Sequence, residues 1–185
     1  MDVPVRGWIP VSWKAELLRL LEPPAEKWPV PSPEEIVRGY GRALPADYMW
    51  LAETYGSGEI SRYLSIYPPL SAAEIGTRPG VFPLSAEPPE DEKEYESLDP
   101  AYLQPGGLLM WGRSQTDDIA FWSPVGDPDQ WPVVIRQDPW RPGPTWTRYD
   151  MGVVEFLVRT FHGQLADNPF SSDELRTQPP SFERD

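Results

Sequence analysis

Carboxylates are the one abundant material for chemistry in this sequence. "TDDIAFW" sets Asp117 and Asp118 side by side at the start of a strand-like run, and "GDPDQW" sets Asp127 and Asp129 in a turn. "AEPPEDEKEYESLDP", residues 86–100, adds Glu90, Asp91, Glu92 and Glu94. A pair of acids can cleave a glycosidic bond, but spacing along a chain does not show the separation in space that the reaction needs. Aspartates in loops more commonly serve turn geometry. Read as a calcium loop from Asp127, the sequence has Trp131 where an oxygen ligand belongs and Pro132 where glycine is needed, so calcium binding fails there. The acidic run 86–100 reads as a solvated loop or a frayed helix.

Other chemistries find less material. A hydrolase triad of the usual kind needs a histidine base, and His162 is the only histidine. It falls in the last turn of a helix, where an imidazolium interacts favourably with the dipole, and it reads as a surface residue. "YGSGE" only mimics a nucleophile elbow, since Tyr55 stands where glycine is required. No phosphate-cradling glycine motif occurs. With no cysteine there is neither a disulfide nor a thiolate metal site. No cofactor and no metal are expected.

The charge balance points towards binding. Twenty-nine acidic residues against sixteen basic give a formal net charge of −13. Such a field repels nucleic acid and anionic lipid and attracts basic proteins, besides keeping the chain soluble. The opening "MDVPVRGWIPVSW" lacks the pattern of a signal peptide, and no apolar run approaches the length of a membrane span. A cytoplasmic protein is expected. Nine Trp, eight Tyr and six Phe provide core material for a single domain of 185 residues. Most of Trp111, Trp122, Trp131, Trp140 and Trp146 are expected in the core, with one or two free to anchor a partner.

The elements that must position these residues follow from caps and periodicity. Ser12 caps a helix over "WKAELLRLLE", which Pro23 and Pro24 stop. Ser32 and Glu35 form a capping box for "SPEEIVRGY". Pro45 starts a third helix whose Tyr48, Leu51, Ala52 and Tyr55 make one apolar face, with Gly56 as its left-handed cap. "EISRYLSIY" reads as one strand, and "SAAEI", with Ser71 and Glu74 as a capping box, reads as a short helix. "GLLMWGR", "DDIAFWS", "WPVVIRQ" and "TWTRYD" read as consecutive antiparallel strands. Asp150 is the expected cap of a last helix carrying Val154, Leu157, Val158 and Phe161 on one stripe, closed by Gly163. Helices, a strand meander and a helix make an α+β fold.

The order "LPADYMWLAETYGSGEI", "LSIYPP", "GGLLMWGRSQTDDIAFW", "WPVVIR", "VVEFLVRTFHG" resembles the SUKH superfamily, which includes fungal Smi/Knr-type regulators and bacterial immunity proteins. The match runs over 44–163, and "WG…D…FW…DPDQWPVV…W" is closest to bacterial members. The resemblance implies a twisted, mainly antiparallel sheet flanked by helices, with no enzymatic activity. It implies a SUKH-like domain over 1–163, with N-terminal helices in 12–43 and a polar C-terminal extension over 164–185. Pro45, Tyr48, Leu51, Tyr55 and Gly56 would then be architectural. The chain departs from the pattern at "SQTDD", where relatives carry a glycine before the aspartate, and in the acidic, proline-rich 79–100.

Bacterial relatives neutralise a cognate toxin, often a nuclease, by binding it. The expected function is therefore a non-enzymatic immunity protein whose partner is a basic nuclease toxin. Glu90, Asp91, Glu92, Glu94, Asp117, Asp118, Asp127 and Asp129 are its candidate contacts. A Smi/Knr-type scaffold for a housekeeping protein is the alternative, and a carboxylate-dependent hydrolase is a remote one.

Overall fold

The computed structural model describes residues 12–86, 96–138 and 142–185. The first helices form where their caps predict. In α1 (Trp13–Leu20) the Ser12 side chain accepts the Ala15 N–H at 3.2 Å. In α2 (Pro33–Tyr40) Ser32 and Glu35 complete a reciprocal box, and Gly41 at φ +70° ends the helix. Helix α3 (Ala46–Tyr55) buries Tyr48, Leu51, Ala52 and Tyr55, the apolar face read from the sequence. Gly56 follows at φ +86°, with the Trp28 ring so close that a Cβ would come within 2.7 Å of it. Glycine is needed there both for the backbone and for the space.

Eight strands then form one open, antiparallel sheet in the order β7-β6-β5-β4-β2-β1-β8, with β3 also paired to β4. They are β1 (Gly58–Ile60), β2 (Leu64–Ile66), β3 (Phe82–Leu84), β4 (Leu108–Ser114), β5 (Ile119–Trp122), β6 (Val133–Arg136), β7 (Trp146–Tyr149) and β8 (Phe182–Arg184). Helices α4 (Val153–Phe161) and α5 (Glu174–Thr177) complete an α+β fold. The four strands of the second half lie where the β-rich runs predict, each paired to the next. Strand β4 is long enough that β2 and β3 share one of its edges, β2 pairing with Gly112–Ser114 and β3 with Leu108–Met110.

Alternation along the strands makes two apolar layers. Leu64, Ile66, Leu109, Trp111, Ala120, Trp122, Val133 and Ile135 face the helices and meet Tyr48, Leu51, Phe156 and Leu157. Leu108, Met110, Phe121, Val134 and Trp146 face the other way, covered by Tyr102 from a 3₁₀ turn at Pro100–Leu103. A bulge inserts Trp111 between Met110, opposite Phe121, and Gly112, opposite Ala120. Its ring lies fully buried against Trp122 and Phe156. Each large apolar side chain taken out of water contributes about 1.5–3 kcal/mol, so this double layer is the main source of stability. Trp111, Trp122, Trp131 and Trp146 are all core residues, whereas Trp140 lies outside the described residues.

Several local expectations are corrected. "EISRYLSIY" is not one strand but the hairpin β1–β2. Ser61 and Arg62 both sit at φ 53°, and the Tyr63 N–H donates to the Ile60 carbonyl at 2.9 Å. Residues 61–63 connect the strands, and the two successive left-handed positions are of the kind normally marked by Asn-Gly, a mark that Ser-Arg does not carry. "SAAEI" forms turns instead of a helix: only half of the Ser71–Glu74 box is made, the Glu74 carboxylate accepting the Ser71 N–H and hydroxyl, and Gly76 at φ +81° and Pro79 stop the chain from winding on. Helix α4 starts from Gly152, not from Asp150, whose carboxylate instead accepts from Arg148 at 2.7 Å.

The polar extension expected over 164–185 packs on the rest of the chain. Phe170 and Leu175 are buried in the main core, and β8 pairs with β1 through Gly58–Ile60.

Candidate functional site

The candidate carboxylates do not form one patch. Asp117 and Asp118 precede β5, and Asp127 and Asp129 lie beyond its far end, about 13 Å of strand away. Glu90, Asp91, Glu92 and Glu94 lie outside the described residues.

At the first end, Asp117 occupies the β4–β5 turn at φ 62° with its side chain exposed, 2.6 Å from the Arg113 guanidinium. Asp118 is the correction to the expected contacts, because it is fully buried and offers no surface to a partner. Its Oδ2 accepts from the Ser171 N–H at 2.6 Å, from the Ser114 and Thr116 hydroxyls at 3.0 Å and from the Tyr63 hydroxyl at 3.1 Å. Its Oδ1 accepts from the Asp138 N–H at 3.3 Å and from the Ser171 hydroxyl. Burial, more than any neighbour, pushes the Tyr63 phenol above its ordinary range, so it stays a donor. A buried carboxylate costs heavily unless donors replace water, and this one is solvated by hydroxyls and backbone N–H groups. Ser114 and Thr116, four and two residues before it, are the part of this arrangement visible in sequence. Tyr63 and Ser171 arrive only through folding.

At the other end the carboxylates cap helices. Asp127 starts the 3₁₀ turn Pro128–Gln130 by accepting the Asp129 N–H at 3.0 Å. Asp129 accepts the Ala46 N–H at 2.7 Å, which provides α3 with the cap that Pro45 cannot supply. Asp47, in the first turn of α3, accepts the Val154 N–H of α4 at 3.1 Å. It leaves no room for a side chain at Gly152, where a Cβ would lie 2.4 Å from its Oδ2.

Asp47 and Asp129 line a cleft of about 470 Å³ with Trp13, Lys14 and Glu155. Burial raises the pKa of the Asp47 carboxyl, and the nearby charge of Asp129 adds to the shift. A raised acid beside a second carboxylate is the raw material of acid–base catalysis. In this cleft each of the two has an oxygen committed to a helix N–H. Sequence reading missed Asp47 because its role is contributed across 107 residues of chain.

His162 lies at the exposed end of α4, where its Nε2 is 2.8 Å from the Glu16 carboxylate of α1. Hydrogen bonds from Arg19 first, then from His162, hold the Glu16 carboxyl down at about 2. That contact joins two helices, and among the described residues no group of acids and histidines is arranged to hold a metal ion. No helix among the described residues is long and apolar enough to cross a membrane. Compared with protein-family models, with curated proteins and with solved structures, the chain finds no match.

Proposed function

We propose that this chain is a non-enzymatic protein-binding domain of the immunity type, which occupies the basic surface of a toxin such as a nuclease. The observation that carries the reading is the acid excess, a formal net charge of −13. A field of that sign speeds encounter with a basic protein and orients its approach. The groove with which a nuclease holds phosphates is such a surface. Asp117 and Asp127 project from opposite ends of the sheet and are available as contacts, while Asp118 belongs to the interior. The resemblance to the SUKH superfamily supports the same reading at the level of fold, and role is the part that must be tested.

The test is binding of the purified chain to the purified product of a neighbouring gene, with inhibition of that product's nuclease activity as the second readout. Tight binding that weakens as salt rises, together with inhibition, is the expected result. Binding without inhibition would shift the reading to a Smi/Knr-type scaffold, and no binding at low or moderate salt would overturn it. Asp117→Lys and Asp127→Lys tell the two ends apart, since a single interface is weakened strongly by only one of them.

A further inference from the structure

We propose that residues 168–185 form a C-terminal strap that opens as a unit, and that Asp118 is the latch that holds it shut. The strap is tied at two places. At its near end the Ser171 N–H and hydroxyl both donate to Asp118, and the Ser172 N–H donates to the Tyr63 hydroxyl at 3.2 Å. The Gln137 side chain adds a bond to the Asn168 carbonyl at 2.8 Å. At its far end β8 pairs with only Gly58–Ile60, and the Arg184 guanidinium reaches the Tyr55 and Glu26 carbonyls at 3.0 and 2.8 Å. Between the ties lie Pro179 and Pro180, which have no N–H to contribute.

The near tie is a latch because of what surrounds the carboxylate. Among the described residues no lysine, arginine or histidine forms an ion pair with Asp118. Among the described residues it is met by dipoles, drawn from the β1–β2 turn, the β4–β5 turn, the chain after β6 and the strap. A buried charge held by dipoles depends on each of them, so the seating of the strap and the accommodation of Asp118 are one coupled event. Opening uncovers the outer edge of β1 and the buried Phe170 and Leu175 side chains.

Amide hydrogen exchange resolved by segment, on the full chain, tests this. In the unmodified protein the amides of 168–185 are expected to exchange faster than those of β5 and β6, because sub-global opening frees them without unfolding the sheet. Asp118→Asn, which puts an amide where donors converge, and Ser171→Ala, which removes only the strap's hydroxyl, should each speed exchange across 168–185. The expected increase is at least roughly tenfold, with α3 and β6 unchanged. Equal acceleration in α3 and β6 would make Asp118 a post of the whole core and overturn the proposal, as would an unchanged strap. If Asp118→Asn does not fold, Ser171→Ala decides by the same two criteria.

Discussion

Ser61 and Arg62 show how a pair of residues can hold a hairpin against local preference. Both adopt φ 53°, a region that costs an ordinary L-residue roughly 1–2 kcal/mol. The turn survives because its neighbours are fixed: Ile60 and Leu64 are buried, the Ser61 N–H donates to the Ser181 carbonyl at 2.7 Å, and Arg62 pairs with Glu183 at 2.7 Å. Asparagine visits that region readily. Ser61→Asn is therefore expected to stabilise the protein by about 0.5–1 kcal/mol, read as a higher urea midpoint with unchanged slope.

At the scale of elements, α3 and α4 borrow their caps from elsewhere in the chain. Pro45 and Gly152 stand at the two cap positions and have no side-chain acceptor, so Asp129 serves α3 and Asp47 serves α4. Asp129→Ala should cost about 1 kcal/mol in chemical denaturation, the ordinary loss for a missing helix cap.

Asp47 makes a second, pH-dependent prediction. Its carboxyl pKa is raised from 3.8, first by burial and then by Asp129. The folded state thus holds the proton more tightly than the unfolded chain does. Asp47 favours folding most below pH 3.8, and that contribution is lost as pH rises through the raised value. Asp47→Asn keeps an oxygen for the Val154 N–H and cannot ionise. It should match the wild type at strongly acidic pH and gain on it towards neutrality, as urea titrations across that range would show. A constant difference at every pH would mean that the Asp47 charge carries no folding cost.

For the molecule as a whole, the decisive question is where the domain ends. The segment after Gly163 is polar and broken by proline, yet Phe170 and Leu175 reach the main core and β8 covers the β1 edge. Removing residues 164–185 takes away about 3–6 kcal/mol of apolar burial from those two side chains alone. Typical domains have only about 5–15 kcal/mol in total. The shortened chain is expected to keep a cooperative thermal transition but at a markedly lower midpoint. A sharp, near-native transition would show instead that the extension is an ornament.

Much of this architecture is legible in the sequence because it depends on neighbours within a turn or two. Ser12 and the Ser32–Glu35 box set helix starts, the apolar stripes of α3 and α4 set the faces they bury, and the runs around Trp111, Trp122, Val134 and Trp146 set four consecutive strands. The acid excess, a sum over residue types, needs no structure at all. Tertiary structure decided whatever depends on groups distant in the chain. It divided the aspartates, sending Asp118 inside and leaving Asp117 in solvent, because only the folded chain brings Tyr63 and Ser171 to donate to one of them. It made helix caps of Asp47 and Asp129 and a strand of the last residues for the same reason. A hydrogen bond or a buried face records where its partner lies in space, and local sequence patterns record only what is near in the chain.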